Sequence, residues 1–473
     1  MSRHAGFPTP FWLYFLGLAL LTWSVRHHAF FWDTVQLASK HAHHFFEQGF
    51  WPPLLPDALD SGHPPTFGAY LAAVWLLFGK TLPVSHLAML PFLGLLLWAM
   101  LRIGRHLPDP RWGKWLPLLL FADPVLAAQS LLVSPDVALA AFFLLGVVGL
   151  LEGRSLWVGA AVLGLGLISL RGMMVGLGLY LWALLLLPSP GRMGFGRWIR
   201  AAGRQLLPFL PGGLLGVAFL SWHYAEKGWV GYHPDSPWAG SFAAVDARGL
   251  LRNVAVVGWR WLDFGRVFLL AAVAGLLGCW WRQRQPLPAF ARRMLLLWGC
   301  MVLVLTPTML LYKGLSAHRY LLPAFLSFSL IFAALLTVVE GWRRGALFAL
   351  VFAGLVTGNL WIYPRHISQG WDSTLAHLPW YGLRNEAISF LDQAGVPLDS
   401  VGTVFPAIGP LEWYDLNGRS DGFARLDWKK HRRVLYANIM NDFTDEELRT
   451  LETSWEVWRR WERGGVCLVL YRR

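Results

Sequence analysis

The stretch "SPDVALAAFFLLGVVGLLEGRSLWVGAAVLGLGLISLRGMMVGLGLYLWALLLLP" (residues 134–188) carries three apolar runs in succession, at 136–151, 156–170 and 172–187. Each approaches the roughly 20 residues that a helix needs to cross hydrocarbon. Two charges within it stand out. Asp136, directly after Pro135, sits at the head of the first run, where an acid can cap a helix and complement its dipole. Arg171 interrupts an almost wholly apolar sequence, and a guanidinium there is expensive unless it faces a polar cavity or a partner. The stretch reads as membrane-spanning helices with polar groups held at their ends.

The rest of the chain extends that reading. Of 473 residues, 55% are hydrophobic and only 15% charged, against the roughly 25% charged residues of a soluble chain. Mean hydropathy is +0.44. The 28 Trp and 12 Tyr suit an extensive membrane–water interface. A net charge of +13 raises the question of nucleic acid, but the basic residues fall mostly in short loops between apolar runs. Topology and anionic headgroups explain that placement, so no nucleic-acid partner is expected and membrane lipids are. Cys279, Cys300 and Cys467 show neither a disulfide framework nor zinc spacing. Arg3 followed by a long apolar stretch without a small-residue cleavage site reads as an uncleaved signal-anchor.

Four basic clusters set the topology: Arg102, Arg105, Arg111 and Lys114; Arg192, Arg197, Arg200 and Arg204; Arg282, Arg284, Arg292 and Arg293; Arg343 and Arg344. The positive-inside rule assigns all four to the cytoplasm, together with the N-terminus. About 11 spans satisfy every cluster, near 11–25, 83–101, 115–133, 136–151, 156–170, 172–187, 206–223, 265–281, 294–311, 320–339 and 346–362. A full crossing by "PPTFGAYLAAVWLLFG" (64–79) would invert every downstream cluster, so this run is expected to be short, tilted or re-entrant. Residues 1–363 then form a transmembrane module with external loops at 26–66 and 224–264. Residues 364–473 lie outside the cytoplasm as a small α/β domain. In that tail "WYGLRNEAISFLDQAG" reads as a helix closed by Gly395, and "SVGTVF" and "RRVLYANIM" as strands. "TDEE" (444–447) has capping-box spacing, and the last twenty residues form a hairpin about Gly464-Gly465.

With this topology, polar groups from separate parts of the chain converge on the outer face. Asp33 ends the first apolar run in "FWDTVQLASKHAHHFFEQGF" (31–50). Its spacing to Gln36 is that of a capping box, and Val35, Ala38, Ala42, Phe45 and Gly49 make a helical stripe. That helix is expected to lie flat on the membrane with Lys40, His43 and Glu47 uppermost. Capping amides would keep the Asp33 carboxylate ionised, and a carboxylate so placed can take a proton from a hydroxyl at the interface. His41 and His44 share a face and His63 follows in the same loop. Imidazole suits zinc, but no matched carboxylate or cysteine spacing accompanies them. They read as interfacial residues, with no cofactor expected and a divalent metal not favoured. "DSGHPPTFGAY" (60–70) reads as a membrane-entry turn stiffened by Pro-Pro. "YKGLSAHRYLLPAF" (312–325) puts Lys313, His318 and Arg319 outside, against positive-inside, which points to an anion such as a lipid phosphate.

Taken in order, Asp33, "HPPTFGAYLAAVWLLFG" (63–79), "SPDVALAAFFLLG" (134–146), "GLGLISLRG" (164–172) and "HRYLLPAF" (318–325) resemble the GT-C glycosyltransferases. The branch is that of the protein O-mannosyltransferases and the lipid A aminoarabinose transferase, and the resemblance covers about residues 1–340. It implies a GT-C fold in a bacterial inner membrane, with the active site and C-terminal domain on the periplasmic side. It further implies a polyprenyl-phosphate-linked sugar as donor and a glycan, lipid or protein acceptor. By the same resemblance Asp33 is the catalytic base in an inverting transfer and Asp136 a second acidic residue. Asp60 and His63 would help position acceptor or donor. Arg171, where the family often has Lys, and Arg319 would lie near the donor phosphate with Lys313 and His318. Relatives often have an Asp-Glu pair where this chain reads Asp33-Thr34. Other readings of the same pattern are a lipid flippase or transporter, a pyrophosphate-dependent glycan polymerase or ligase, and a catalytically silent scaffold.

Overall fold

The computed structural model describes residues 9–231, 233–234, 239–364 and 367–473. Helices occur at each expected span. Thr9–Ser24 comes first, followed by Leu90–Gly104, Pro135–Glu152, Ser155–Ile168, Leu170–Leu185, Leu210–Lys227, Arg266–Gln283, Ala289–Leu311, Leu322–Leu336 and Trp342–Thr357. Five helical segments among the described residues are long and apolar enough to cross a membrane: Leu82–Gly104, Pro135–Glu152, Phe195–Lys227, Ala289–Leu311 and His318–Leu336. Exposed Leu13, Leu77, Leu156, Leu214 and Leu303 face outward, as lipid contact requires and water would not favour. The protein is an integral membrane protein.

At the centre stands Leu322–Leu336, "LPAFLSFSLIFAALL", every residue of which is buried. A helix apolar on all sides has no preferred outward face, so it is the one that others surround. Ala289–Leu311 packs along it, Leu170–Leu185 packs on that helix in turn, and Pro135–Glu152 is packed by Leu90–Gly104 and Ser155–Ile168. The expected span at 115–133 is broken. It forms Leu116–Phe121 and Pro124–Leu131, because Asp123 and Pro124 stop the first piece. The Asp123 carboxylate then caps the second through the amides of Val125 and Leu126. The same carboxylate takes both arms of Arg266 at 2.9 and 2.8 Å, with the two side chains only 1% and 2% exposed.

The run 64–79 yields Thr66–Phe78, 13 residues, or roughly 20 Å at 1.5 Å per residue, too short to cross hydrocarbon alone. A Cβ on Gly68 would come within 2.3 Å of the His41 Cβ, so this glycine permits the helix to touch residues 41–48.

The segment at 33–48 departs from its expected form. Val35–Lys40 is π-helical and continues into the α-helix His41–Gln48. It does not lie flat with one face free: His41 and His43 are 2% and 5% exposed. The C-terminal domain covers it, with Ser39 Oγ donating to the Trp413 carbonyl at 2.6 Å. Lys40 lies over the Trp413 ring, and Glu412 meets Lys80 at 2.7 Å. His43 is therefore not at a free surface, because its side of the helix is roofed by residues some 370 positions away, while His41 turns to the Leu59 carbonyl at 3.0 Å and His44 stays half-buried.

The C-terminal domain is a six-stranded mixed sheet. Its strands are β1 Val401–Thr403, β2 Gly409–Pro410, β3 Gly422–Arg425, β4 Arg433–Ala437, β5 Glu456–Arg463 and β6 Val466–Arg472, in the order β2-β3-β1-β4-β6-β5. Helix Pro379–Gln393 packs on β5 and β6. The capping box forms as expected, Glu447 N–H donating to Thr444 Oγ1 at 3.2 Å and Thr444 N–H to Glu447 Oε2 at 2.8 Å. The β5–β6 turn holds Gly464 and Gly465 at φ +55° and +78°, the two positive values that a two-residue hairpin turn requires.

Arg266→Ala should destabilise the fold by about 3–5 kcal/mol by leaving Asp123 buried and unpaired. The double change Asp123→Leu/Arg266→Met should cost clearly less. Denaturation of the purified protein in detergent checks the ordering, and equal losses for both variants would contradict it.

Candidate functional site

Asp33 reaches its position through a strained turn. Trp32 has φ +56°, a conformation rare for bulky residues and found where surrounding structure over-determines it. Trp32 packs edge-on against Phe405 of the C-terminal domain, ring centroids 5.0 Å apart. Thr34 closes the turn: its Oγ1 accepts from Phe31 N–H at 3.0 Å and donates to the Phe31 carbonyl at 2.7 Å. The cap expected of Asp33 does not form: Thr34 stands at the N-cap of Val35–Lys40 without a side-chain cap, its hydroxyl turned back to Phe31. Gln36 instead directs its amide to the Leu59 carbonyl. Thr34 has a local structural task, and the Asp33 carboxylate is left free to face inward.

It faces Arg319. This guanidinium, 5% exposed, donates from Nη2 to Asp33 Oδ2 and from Nη1 to Asp372 Oδ2. Its Nε lies 3.6 Å from Asp136 Oδ2. Arg171 donates from Nη1 to Asp136 Oδ1 at 2.7 Å and to the Arg319 carbonyl at 3.2 Å, and lies 4.5 Å above the Tyr320 ring. Three carboxylates from distant parts of the chain and two guanidiniums therefore form one cluster. Among the described residues no hydrogen bond occupies Arg171 Nε or Nη2, so that side chain, 16% exposed, still has donors to offer.

Asp372 had no place in the sequence reading. It lies in "QGWDSTLAH", in a short 3-10 turn at Trp371–Ser373, and its backbone carbonyl accepts from Gln129 Nε2 at 2.8 Å. Gln129 also takes the hydroxyl of Ser134, which caps the helix carrying Asp136. Burial pushes the Asp372 carboxyl up to about 6; Arg319 opposes that rise while Asp33 and Asp136 add to it. The main physical reason is the cost of desolvating the charged form, and with all three acids ionised two guanidiniums also leave one negative charge unmatched.

The other expected site residues separate into three groups. His63 lies beside the cluster, in a narrow pocket with Asp136, Arg171, His41 and Ser169. Burial first and then Arg171 hold its imidazole down at about 4. It is neutral, and its buried Nδ1 has no partner. Asp60 is turned away to Gly62 N–H and His223 Nε2, at 2.8 and 3.1 Å. Lys313 is exposed, on a segment whose backbone pairs with Ala243, and joins none of the cluster's ion pairs. His318 is fully buried and bonded to Asp263 Oδ2 at 2.7 Å. Asp263 also binds Tyr363 and approaches Arg260 and Arg266. This second polar network, through His318, lies next to Arg319 in the chain and is buried except at Tyr363, which borders a cavity of about 340 Å³. Among the described residues no group of three His, Cys, Asp or Glu could hold a metal ion.

No protein-family model matches the chain, and no curated protein matches it. Among solved structures it is similar to ArnT from Cupriavidus metallidurans bound to undecaprenyl phosphate, with a TM-score of 0.56 and 15% identity over 98% of each chain. The chain thus shares the fold of that structure over 98% of its length, C-terminal domain included, where the sequence resemblance covered only the first 340 residues or so.

The raised Asp372 carboxyl makes a pH prediction. In the unfolded chain it ionises near 3.8, in the folded one near 6, so the folded state holds the proton longer. Its stability contribution is fully present below about pH 4 and is lost as pH rises through about 6. Asp372→Asn should remove that decline, so the wild-type melting temperature should fall relative to the variant's between pH 4 and 7. Parallel curves would refute the shift.

Proposed function

We propose that this protein transfers a sugar from a polyprenyl-phosphate donor to a hydroxyl of an acceptor, at the end of the helical bundle that holds Asp33. The observation that carries the reading is the convergence of Asp33, Asp136, Arg171 and Arg319 into one cluster, in a chain with the GT-C fold. The undecaprenyl phosphate bound to ArnT supports the donor class. The cluster lies opposite the four basic loops, which supports an active face outside the cytoplasm and, in a bacterium, on the periplasmic side of the inner membrane.

Asp33 is the general base. Its carboxylate is aimed by Arg319, and takes the proton of the acceptor hydroxyl as that oxygen attacks the anomeric carbon. The bond from the anomeric carbon to the phosphate oxygen breaks on the opposite face, so the configuration inverts. The departing phosphate goes from one negative charge to two. Arg171, with free N–H donors, meets this new charge. Arg319, whose two Nη groups both hold carboxylates, acts chiefly by fixing Asp33. No separate acid is needed because a phosphate is already a good leaving group, unlike the alcohol expelled in glycoside hydrolysis. Neutral His63 is suited to orient a substrate hydroxyl, since it can donate from one ring nitrogen and accept at the other.

Asp33→Asn should lower kcat by about 10²- to 10⁴-fold with little change in the donor KM, whereas Arg171→Ala should raise the donor KM as well. The assay is transfer of labelled sugar from a polyprenyl-phosphate donor by the purified, folded protein. Unchanged turnover in Asp33→Asn would end the proposal, and lipid transport that survives that change would favour a flippase.

A further inference from the structure

The far end of the bundle carries charges that the site does not use. Helix Leu170–Leu185 begins at the Asp33 cluster and ends, 16 residues on or roughly 24 Å away, among the basic loops. Two arginines there are neutralised: Arg102 binds Glu152 through two bonds, and Arg344 meets Asp109 at 2.8 Å. The helix Phe195–Leu206, "FGRWIRAAGRQL", is different. Arg197, Arg200 and Arg204 recur along one face, and among the described residues none of them pairs with a carboxylate. Their one recorded side-chain bond runs from Arg200 Nε to the Gly196 carbonyl of the same helix.

These arginines form one wall of a groove of about 570 Å³, and Ser155, Leu187 and Met193 line the other. Ser155 begins helix Ser155–Ile168, which has no acid in its first turn, so the positive end of its dipole adds to the field. On the membrane side the same helix exposes Phe195 (68%) and Ile199 (51%), and the next turns expose Leu207 and Leu214. An amphipathic basic helix of this kind lies at the headgroup level with its apolar residues in the acyl region.

We propose that this groove is a binding site for an anionic phospholipid of that leaflet. Its phosphate is held by Arg197, Arg200 and Arg204 and its acyl chain runs over the exposed apolar residues. Guanidinium forks match phosphate oxygens, and the apolar continuation selects a lipid over a free phosphate. The proposal does not rest on the transferase reading.

Native mass spectrometry of the full chain, delipidated and titrated with phosphatidylglycerol or phosphatidylcholine, tests it. Wild type should retain phosphatidylglycerol preferentially, and Arg197→Ala/Arg200→Ala/Arg204→Ala should weaken that preference by roughly tenfold or more. Arg282→Ala/Arg284→Ala, in another basic loop, should leave it intact. If the triple variant fails to fold, Arg200→Glu and Arg204→Glu should each weaken retention singly. Equal retention of the two lipids by wild type, the same loss in the control variant, or displacement by millimolar inorganic phosphate would each overturn the assignment.

Discussion

The fold turns on one guanidinium. Arg319 is buried at the head of the wholly enclosed helix Leu322–Leu336, where an unpaired charge would cost several kcal/mol. Its compensation comes from three carboxylates that no local sequence could deliver together. Asp33 follows the first span, Asp136 starts a helix in the middle of the chain, and Asp372 opens the C-terminal domain. Meeting that one charge fixes the first loop, the central bundle and the tail relative to one another. The strain at Trp32 and the π-helical turn after it are consistent with a segment held to a target rather than to its own preference.

Behind Arg319 lies a second layer of the same kind. His318, Asp263, Tyr363, Arg260 and Arg266 form a polar network that ends in the Asp123–Arg266 pair. It pairs these buried charges with one another behind Arg319, although Asp263 Oδ1, Arg266 Nη1 and His318 Nδ1 find no hydrogen-bond partner among the described residues. The molecule is accordingly two-ended: a buried cluster of three carboxylates and two guanidiniums at one end of the helices and a fringe of basic loops at the other.

Much of this was legible in the sequence, because the cost of a charge in hydrocarbon is high enough to mark it. Asp33, Asp136, Arg171 and Arg319 each stand at the edge of an apolar run, and the structure brings all four together. Asp123 inside the run 115–133 and Arg266 at the head of the span 265–281 carry the same kind of signal, but the sequence reading singled out neither. Asp372 gave no such signal: it sits in an ordinary polar segment, and only packing turns it into a buried acid. His318 and Lys313 looked like partners of Arg319 because they are its neighbours in sequence. Successive residues leave a helix end in different directions, and one went inward to Asp263 while the other stayed in solvent.

By itself the sequence determined that this chain is a bundle of membrane helices with a small α/β appendage, roughly where most of its helices fall, and several of the charges that had to find partners. Those properties follow from hydrophobicity and local spacing, which act residue by residue. Only the tertiary structure decided which partner each charge found, that Thr34 rather than Asp33 serves the turn, and that the segment at 33–48 lies under a roof instead of on a membrane surface. Those outcomes depend on contacts between residues hundreds of positions apart, and burial gives such contacts their energy only once the chain has closed around them.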